Sequence, residues 1–176
     1  MHDSETIEEV NVLRSKCTAG FTLYELLVTL AVASVILSFG VPGFQNFVQN
    51  SRSVTHSNDL VTALNLARSE ATRRGAPVDI CASTDGATCS GSTDWSTGWI
   101  VRAPTGEVLR AWPARSGGAS VLTGNLSSIQ FQARGSLAAG TAPQLALQLP
   151  RCNGTDRRNI TVNVAGRIAV NRVACL

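Results

Sequence analysis

The apolar run from Leu26 to Val41 constrains this chain more than any other stretch. It contains no ionisable residue, and counting from Phe21 the only charge before its end is Glu25. A run of about 20 apolar residues at ~1.5 Å per residue spans roughly 30 Å, the thickness of a bilayer's hydrocarbon core. A carboxylate near the start of such a run costs on the order of 2.5–3.5 kcal/mol unless it is paired or reaches the interface. The stretch is therefore read as a membrane helix whose one charge has a task. Two plainer readings explain less. A secretory signal would use Arg14 and Lys16 as its basic flank and Ala31-Val32-Ala33 as its cleavage site, leaving Glu25 beside the apolar core without purpose. A simple single-pass anchor explains the run but not the Gly20-Phe21 pair in front of it.

The segment Gly20-Phe21-Thr22-Leu23-Tyr24-Glu25-Leu26-Leu27-Val28 resembles the class III signal of type IV pilins and type II secretion pseudopilins. The resemblance implies that a dedicated aspartic prepilin peptidase cuts after Gly20 and methylates the new amino terminus at Phe21. It also implies that Glu25 pairs with the amine of a neighbouring subunit. The physics agrees, since a buried carboxylate and a buried ammonium are each costly alone and tolerable together.

The chain's 176 residues suffice for one domain after a membrane segment. The leader, Met1 to Gly20, carries Asp3, Glu5, Glu8 and Glu9 against Arg14 and Lys16, so removing its net −2 from the chain's +3 leaves a mature charge of +5. The chain's lysine lies in that leader, so the mature chain's basic residues are all arginine. Arginine suits planar contacts to phosphate or carboxylate, although a genome-wide arginine bias yields the same pattern. Cys17 is lost with the leader, and Cys81, Cys89, Cys152 and Cys175 all lie beyond the apolar run. An even cysteine count in an extracytoplasmic domain argues for disulfides. Three pairings are open, of which Cys81–Cys89 and Cys152–Cys175 close the shortest loops. The absence of Cys-x-x-Cys, with only His56 left as a nitrogen ligand, argues against a zinc site.

Gly40, Pro42 and Gly43 are expected to kink or loosen the helix, after which helical periodicity resumes. Phe44, Phe47, Val48, Val54, Val61, Leu64 and Ala71 are taken as its apolar face. Arg73-Arg74, then Gly75 and Pro77, signal its end. Beyond Pro77 the spacing predicts seven short strands: Val78–Ala82, Trp99–Arg102, Val108–Trp112, Ser128–Gln132, Leu145–Leu149, Arg158–Val164 and Ile168–Val173. Residues Thr84 to Thr97 form a polar loop. The predicted organisation is a leader (1–20), a transmembrane helix (21–41), an amphipathic second half of that helix (42–75) and a β-rich head (76–176). The fold class is α+β, with a long N-terminal helix packed on an antiparallel, sandwich-like head.

The head narrows the resemblance. Asp94-Trp95-Ser96-Thr97-Gly98-Trp99-Ile100-Val101, Ile129-Gln130-Phe131 with Arg134-Gly135, and Ile160 to Arg167 with Cys175 are similar to segments of minor pilins in the FimT/FimU–GspH group. Trp95 and Trp99 are read as core residues. The pilin-like resemblance implies a non-catalytic filament subunit, with other pilins or pseudopilins and the bacterial inner membrane as partners and its head in the periplasm. A type IV pilus minor subunit is preferred over the H-type pseudopilin of type II secretion, on the four cysteines and the basic tail. No cofactor is called for: His56 sits among polar helix residues, and Asp79, Asp85, Asp94 and Asp156 form no motif.

Arg151, Arg157, Arg158, Arg167 and Arg172, against Asp156 alone, make the C-terminal end basic and a candidate for DNA phosphates. Some group members linked to DNA uptake carry Gly-Arg-x-Arg here, whereas this chain has Gly166-Arg167-Ile168-Ala169, without the second arginine. If Ile160–Val164 and Ile168–Arg172 form a hairpin, a three-residue loop at Ala165–Arg167 sets Val164 opposite Ile168 and Val162 opposite Val170. That register suits the core better than a two-residue turn, but it asks a non-glycine residue to close the loop.

Overall fold

The computed structural model describes residues 20–114, 121–138, 142–150, 152, 154 and 156–175. The leader with Cys17, and Arg151, lie outside the described residues. The chain divides into two compact units, Met1–Pro42 and Gly43–Leu176, and the division falls within the Gly40–Gly43 segment.

Helix α1 runs from Leu23 to Arg74. Thr22 caps it: its carbonyl accepts from the Leu26 amide at 3.1 Å and its Oγ1 from the Glu25 amide at 3.2 Å. Thr22-x-x-Glu25 has capping-box spacing, which sets the carboxylate at the third helical position, where the helix dipole favours a negative charge. Along the apolar stretch the hydroxyls of Thr29, Ser34 and Ser38 donate back to the carbonyls of Leu26, Ala31 and Val35 at 2.7–2.9 Å. Those hydroxyls are thus satisfied within the helix, as an apolar solvent requires.

In the second unit the buried face of α1 is Ser53, Ser57, Leu60, Ala63, Leu64, Ala67 and Ala71. Leu64 and Ala71 are buried as expected, but the expected face is corrected at Phe44, Phe47 and Val54, which are 67%, 69% and 37% exposed. The reason is steric. Serine and alanine let the helix axis approach the strands closely, which phenylalanine at the same positions would prevent. At its end the Ala76 amide donates to the Ala71 carbonyl at 3.3 Å, a Schellman bond. Glu70 accepts from Arg73 at 2.6 Å and from Arg74 at 2.9 Å, and Arg74 reaches on to Glu107 at 3.2 Å.

Eight strands follow among the described residues. They are β1 Val78–Ala82, β2 Gly98–Arg102, β3 Val108–Pro113, β4 Val121–Gly124, β5 Ser128–Phe131, β6 Gln144–Gln148, β7 Arg157–Val162 and β8 Ile168–Val173. Two four-stranded sheets form, ordered β3-β2-β1-β5 and β4-β6-β7-β8, and their strand pairings are antiparallel. Strand β4 is not among the seven predicted runs. Its local signal is only Val121-Leu122, and pairing with β6 makes it a strand. The inward residues of both sheets (among them Ile80, Val101 and Phe131 from the first, Leu145, Leu147 and Ile160 from the second) share one core with Leu60, Leu64 and Ala67 of α1.

Two disulfides brace the head, Cys81–Cys89 and Cys152–Cys175. The first draws the polar loop back to β1, where the Gly86 position approaches Ala111 of β3. Within that loop Asp85 accepts from the amides of Ala87 and Thr88, the Thr88 hydroxyl and the Ser83 hydroxyl at 2.7–3.0 Å.

The β7–β8 register differs from both turns considered above and corrects them. Val162 faces Ile168 and Ile160 faces Val170, so the loop is Val164–Gly166, one residue earlier than expected. The Gly166 amide donates to the Asn163 carbonyl at 2.8 Å, and the Asn163 amide to the Arg167 carbonyl at 3.0 Å. Gly166 has φ of 77°, so the glycine takes the left-handed position that closes a three-residue hairpin loop. The expected register would put Arg167 there, and the steric penalty of that conformation for a side chain decides against it.

Candidate functional site

The N-terminal residues singled out from the sequence lie together on one short segment. Gly20, Phe21 and Glu25 are all exposed, with Glu25 in the first turn of α1 behind its Thr22 cap. Up to Val41 the large apolar side chains of this helix are solvent-exposed in the single chain, including Leu26, Leu30, Ile36 and Leu37. The helix is long and apolar enough to cross a membrane, by length and composition.

The basic C-terminal residues do not form one cluster. Arg158 is only 8% exposed. Its Nε donates to Ser53 Oγ at 3.0 Å and one terminal amine to Asn50 Oδ1 at 3.1 Å, tying β7 to α1. Burial lowers its pKa, the neighbouring Arg172 lowers it further, and Asp156 opposes them. Arg158 is therefore withdrawn from the set of candidate DNA contacts: it is a buried tether. Arg172 lies directly across the ladder from it, exposed, and Arg157 is half-buried opposite Val173. Arg167 is exposed at the opposite end of β8, roughly 17 Å from Arg172 at ~3.3 Å per residue.

At that turn the backbone of Gly166 lies against the Gly135 carbonyl, and the Arg68 guanidinium of α1 packs beside both glycines. Arg68 also donates to the Ala165 carbonyl at 3.3 Å. Asn50, Ser53 and Arg68 are partners of this end that sequence reasoning misses. Their contacts span 97 to 108 residues of sequence, and small polar side chains on an amphipathic helix carry no local mark of such a role.

The tryptophan segment is structural. Trp95 is fully buried, with Nε1 donating to the Leu126 carbonyl at 3.0 Å. Trp99 stacks on Trp112 with ring centroids 6.4 Å apart, and Arg110 lies 4.7 Å over the Trp112 ring. A side chain at Gly98 would come within 2.6 Å of the Trp112 carbonyl, so glycine is needed for the β2–β3 approach. Among the described residues no three histidines, cysteines or acids converge as a metal site would require.

A helix whose second half is embedded in antiparallel sheets, after a capped apolar first half, defines a pilin-like protein. The family model described as type II transport protein GspH matches residues 56–166, and the chain belongs to that family. The crystal structure of the type IV minor pilin FimU from Pseudomonas aeruginosa shares the fold at 21% identity and a TM-score of 0.58, covering 71% of this chain and 92% of that one. A second crystal form of FimU gives 23% identity and a TM-score of 0.50 over 66% and 90%. No curated protein matches the chain.

Proposed function

We propose that this chain is a minor pilin that primes or caps assembly of a type IV pilus. It is made with a leader that the prepilin peptidase removes after Gly20, and its head is held in the periplasm by the helix from Phe21 to Val41 in the inner membrane. Its work is packing rather than catalysis: apolar helices bundle in the filament, and Glu25 neutralises the methylated amine of a neighbour's Phe21. The observation that carries this reading is a lone carboxylate, Glu25, in the first turn of a capped apolar helix that continues into the head. An uncompensated charge there is costly, and pairing removes the cost.

The test is the N-terminal mass of the protein from membranes with and without the peptidase. Peptidase-dependent, methylated Phe21 is expected; an intact leader, or a start near Ser34, sinks the proposal. Glu25→Ala is expected to leave cleavage intact and to strip the protein from sheared filaments.

Two variants of the reading have their own support. The family description favours an H-type pseudopilin of type II secretion, tested by whether deletion abolishes secretion or piliation. The exposed Arg167 and Arg172 and the half-buried Arg157, against Asp156 alone at this end, favour contact with DNA phosphates. That variant expects head binding to duplex DNA to fall with salt, by a log–log slope of about −0.9 per phosphate neutralised.

A further inference from the structure

The two sheets have four edges, and three are closed or blunted among the described residues. The edge of β4 is covered by the segment before β2: the Trp95 amide donates to the Leu122 carbonyl, and the Gly124 amide to the Thr93 carbonyl, both at 2.8 Å. The edge of β5 is covered by its own following turn, through Gln132 to Ser136 at 2.8 Å and Ala138 to Gln130 at 3.1 Å. The β2–β3 register breaks at Val101/Arg102, and β3 itself ends in Pro113. A bulge and a proline are the devices by which natural edges resist pairing. Strand β8 has neither. It is a regular strand in unbroken register with β7, and Ala169, Val170, Asn171 and Arg172 are consecutively exposed.

Which groups it offers follows from the ladder. The Asn163 amide bonds the Arg167 carbonyl, and hydrogen-bonded pairs alternate along an antiparallel ladder. Ala169, Asn171 and Val173 therefore bond β7, while the N–H and C=O groups of Ile168, Val170 and Arg172 point away from it. The side chains of those same three residues share the face of Ile160 and Val162, the face turned to α1. Val170 is 39% exposed there, and Val54 on the helix is 37% exposed. Asn50 and Arg68 of α1 contact β7 and the β7–β8 turn, and Val54 stands one helical turn from Asn50. An incoming strand would find an open backbone edge, an apolar seam, and Arg167 and Arg172 at its two ends.

We propose that β8 is a docking edge for an extended segment of a different filament subunit, one with alternate apolar residues flanked by carboxylates. Such strand addition takes affinity from main-chain hydrogen bonds and specificity from alternate side chains. The charge selects the partner. Arg167 and Arg172 are exposed at the two ends of β8 and no acid lies on the strand, so β8 of a second copy would bring like charge against like, whereas an acidic strand is complemented. The inference rests on the assembly reading above.

The test uses the full chain in its own filaments. Val170→Pro removes an outward N–H without touching the β7 ladder, a position where an edge strand tolerates proline. Its incorporation into sheared filaments is expected to fall at least about tenfold, as is that of Arg172→Glu, because both remove what the partner strand would use. If Val170→Pro lowers the melting temperature, Arg172→Glu decides alone. A photo-crosslinking residue at position 170 is expected to capture a different subunit, while the same residue at Gln148, on the outward side of β6, does not. Normal incorporation of Arg172→Glu, or capture chiefly of another copy of this chain, overturns the proposal. A wild-type chain absent from filaments would instead sink the assembly reading and this one with it.

Discussion

Arg158 holds β7 to α1 through Ser53 and Asn50, and Arg167 stands in solvent at the end of the same hairpin. Truncation should separate their roles. Arg158→Ala removes two hydrogen bonds from a charged, buried group, so a loss of about 2 kcal/mol is expected, read as a lower melting temperature. It should leave any DNA affinity of the folded head unchanged. Arg167→Ala should leave melting unchanged. If the head binds duplex DNA, that variant should bind it more weakly, with a salt slope flatter by about one unit for each phosphate no longer neutralised. Glu25 is the other charged residue whose local setting is specific. Its backbone amide donates to the Thr22 hydroxyl in the first turn of α1, and the residue is exposed.

At the scale of elements, the β7–β8 hairpin depends on its turn. Gly166→Ala must place a methyl in a left-handed conformation, at about 1–2 kcal/mol, and also against the Gly135 carbonyl. The expected result is a destabilised head with faster amide exchange across β8, measured by hydrogen exchange. The two disulfides should differ in weight. Chain-entropy reasoning gives roughly 2.5 kcal/mol for the Cys81–Cys89 loop and roughly 3.5 kcal/mol for the longer Cys152–Cys175 loop. Paired serine substitutions, followed by denaturant unfolding, should show the second pair costing more. Strand positions are largely visible in the sequence, because short alternating runs between glycine, serine and aspartate mark them locally; Val78–Ala82 and Ile168–Val173 match in both bounds. Strand β4 is not visible there, since two apolar residues do not make an alternation.

For the molecule as a whole, acid is the informative perturbation. Arg73, then Arg74, hold the Glu70 carboxyl down to about 2. The Thr88 and Ala87 amides, with the Thr88 and Ser83 hydroxyls, hold Asp85 well below the ordinary carboxylate range. Both groups are depressed in the folded state, so their contribution is present above the unfolded values near 4 and is lost as pH falls through the folded ones. Melting temperature should therefore decline below about pH 4, and Glu70→Gln should flatten part of that decline. Arg74 also joins the end of α1 to the β2–β3 loop through Glu107 at 3.2 Å.

From the sequence alone came the apolar helix, its lone carboxylate, the helix end at Arg73-Arg74-Gly75 and most strands, because each is written in neighbouring residues as length, period or a breaker. Tertiary structure alone decided which face of α1 is buried, since two faces of that helix carry apolar residues and only the strands choose the one with small side chains. It also decided the hairpin register, where shifts of one residue are separated only by which residue must turn left-handed. Arg158 became a tether rather than a surface cation for the same reason. Its partners lie more than 100 residues away, and burial beside them is a property of the packed chain, not of any stretch of it.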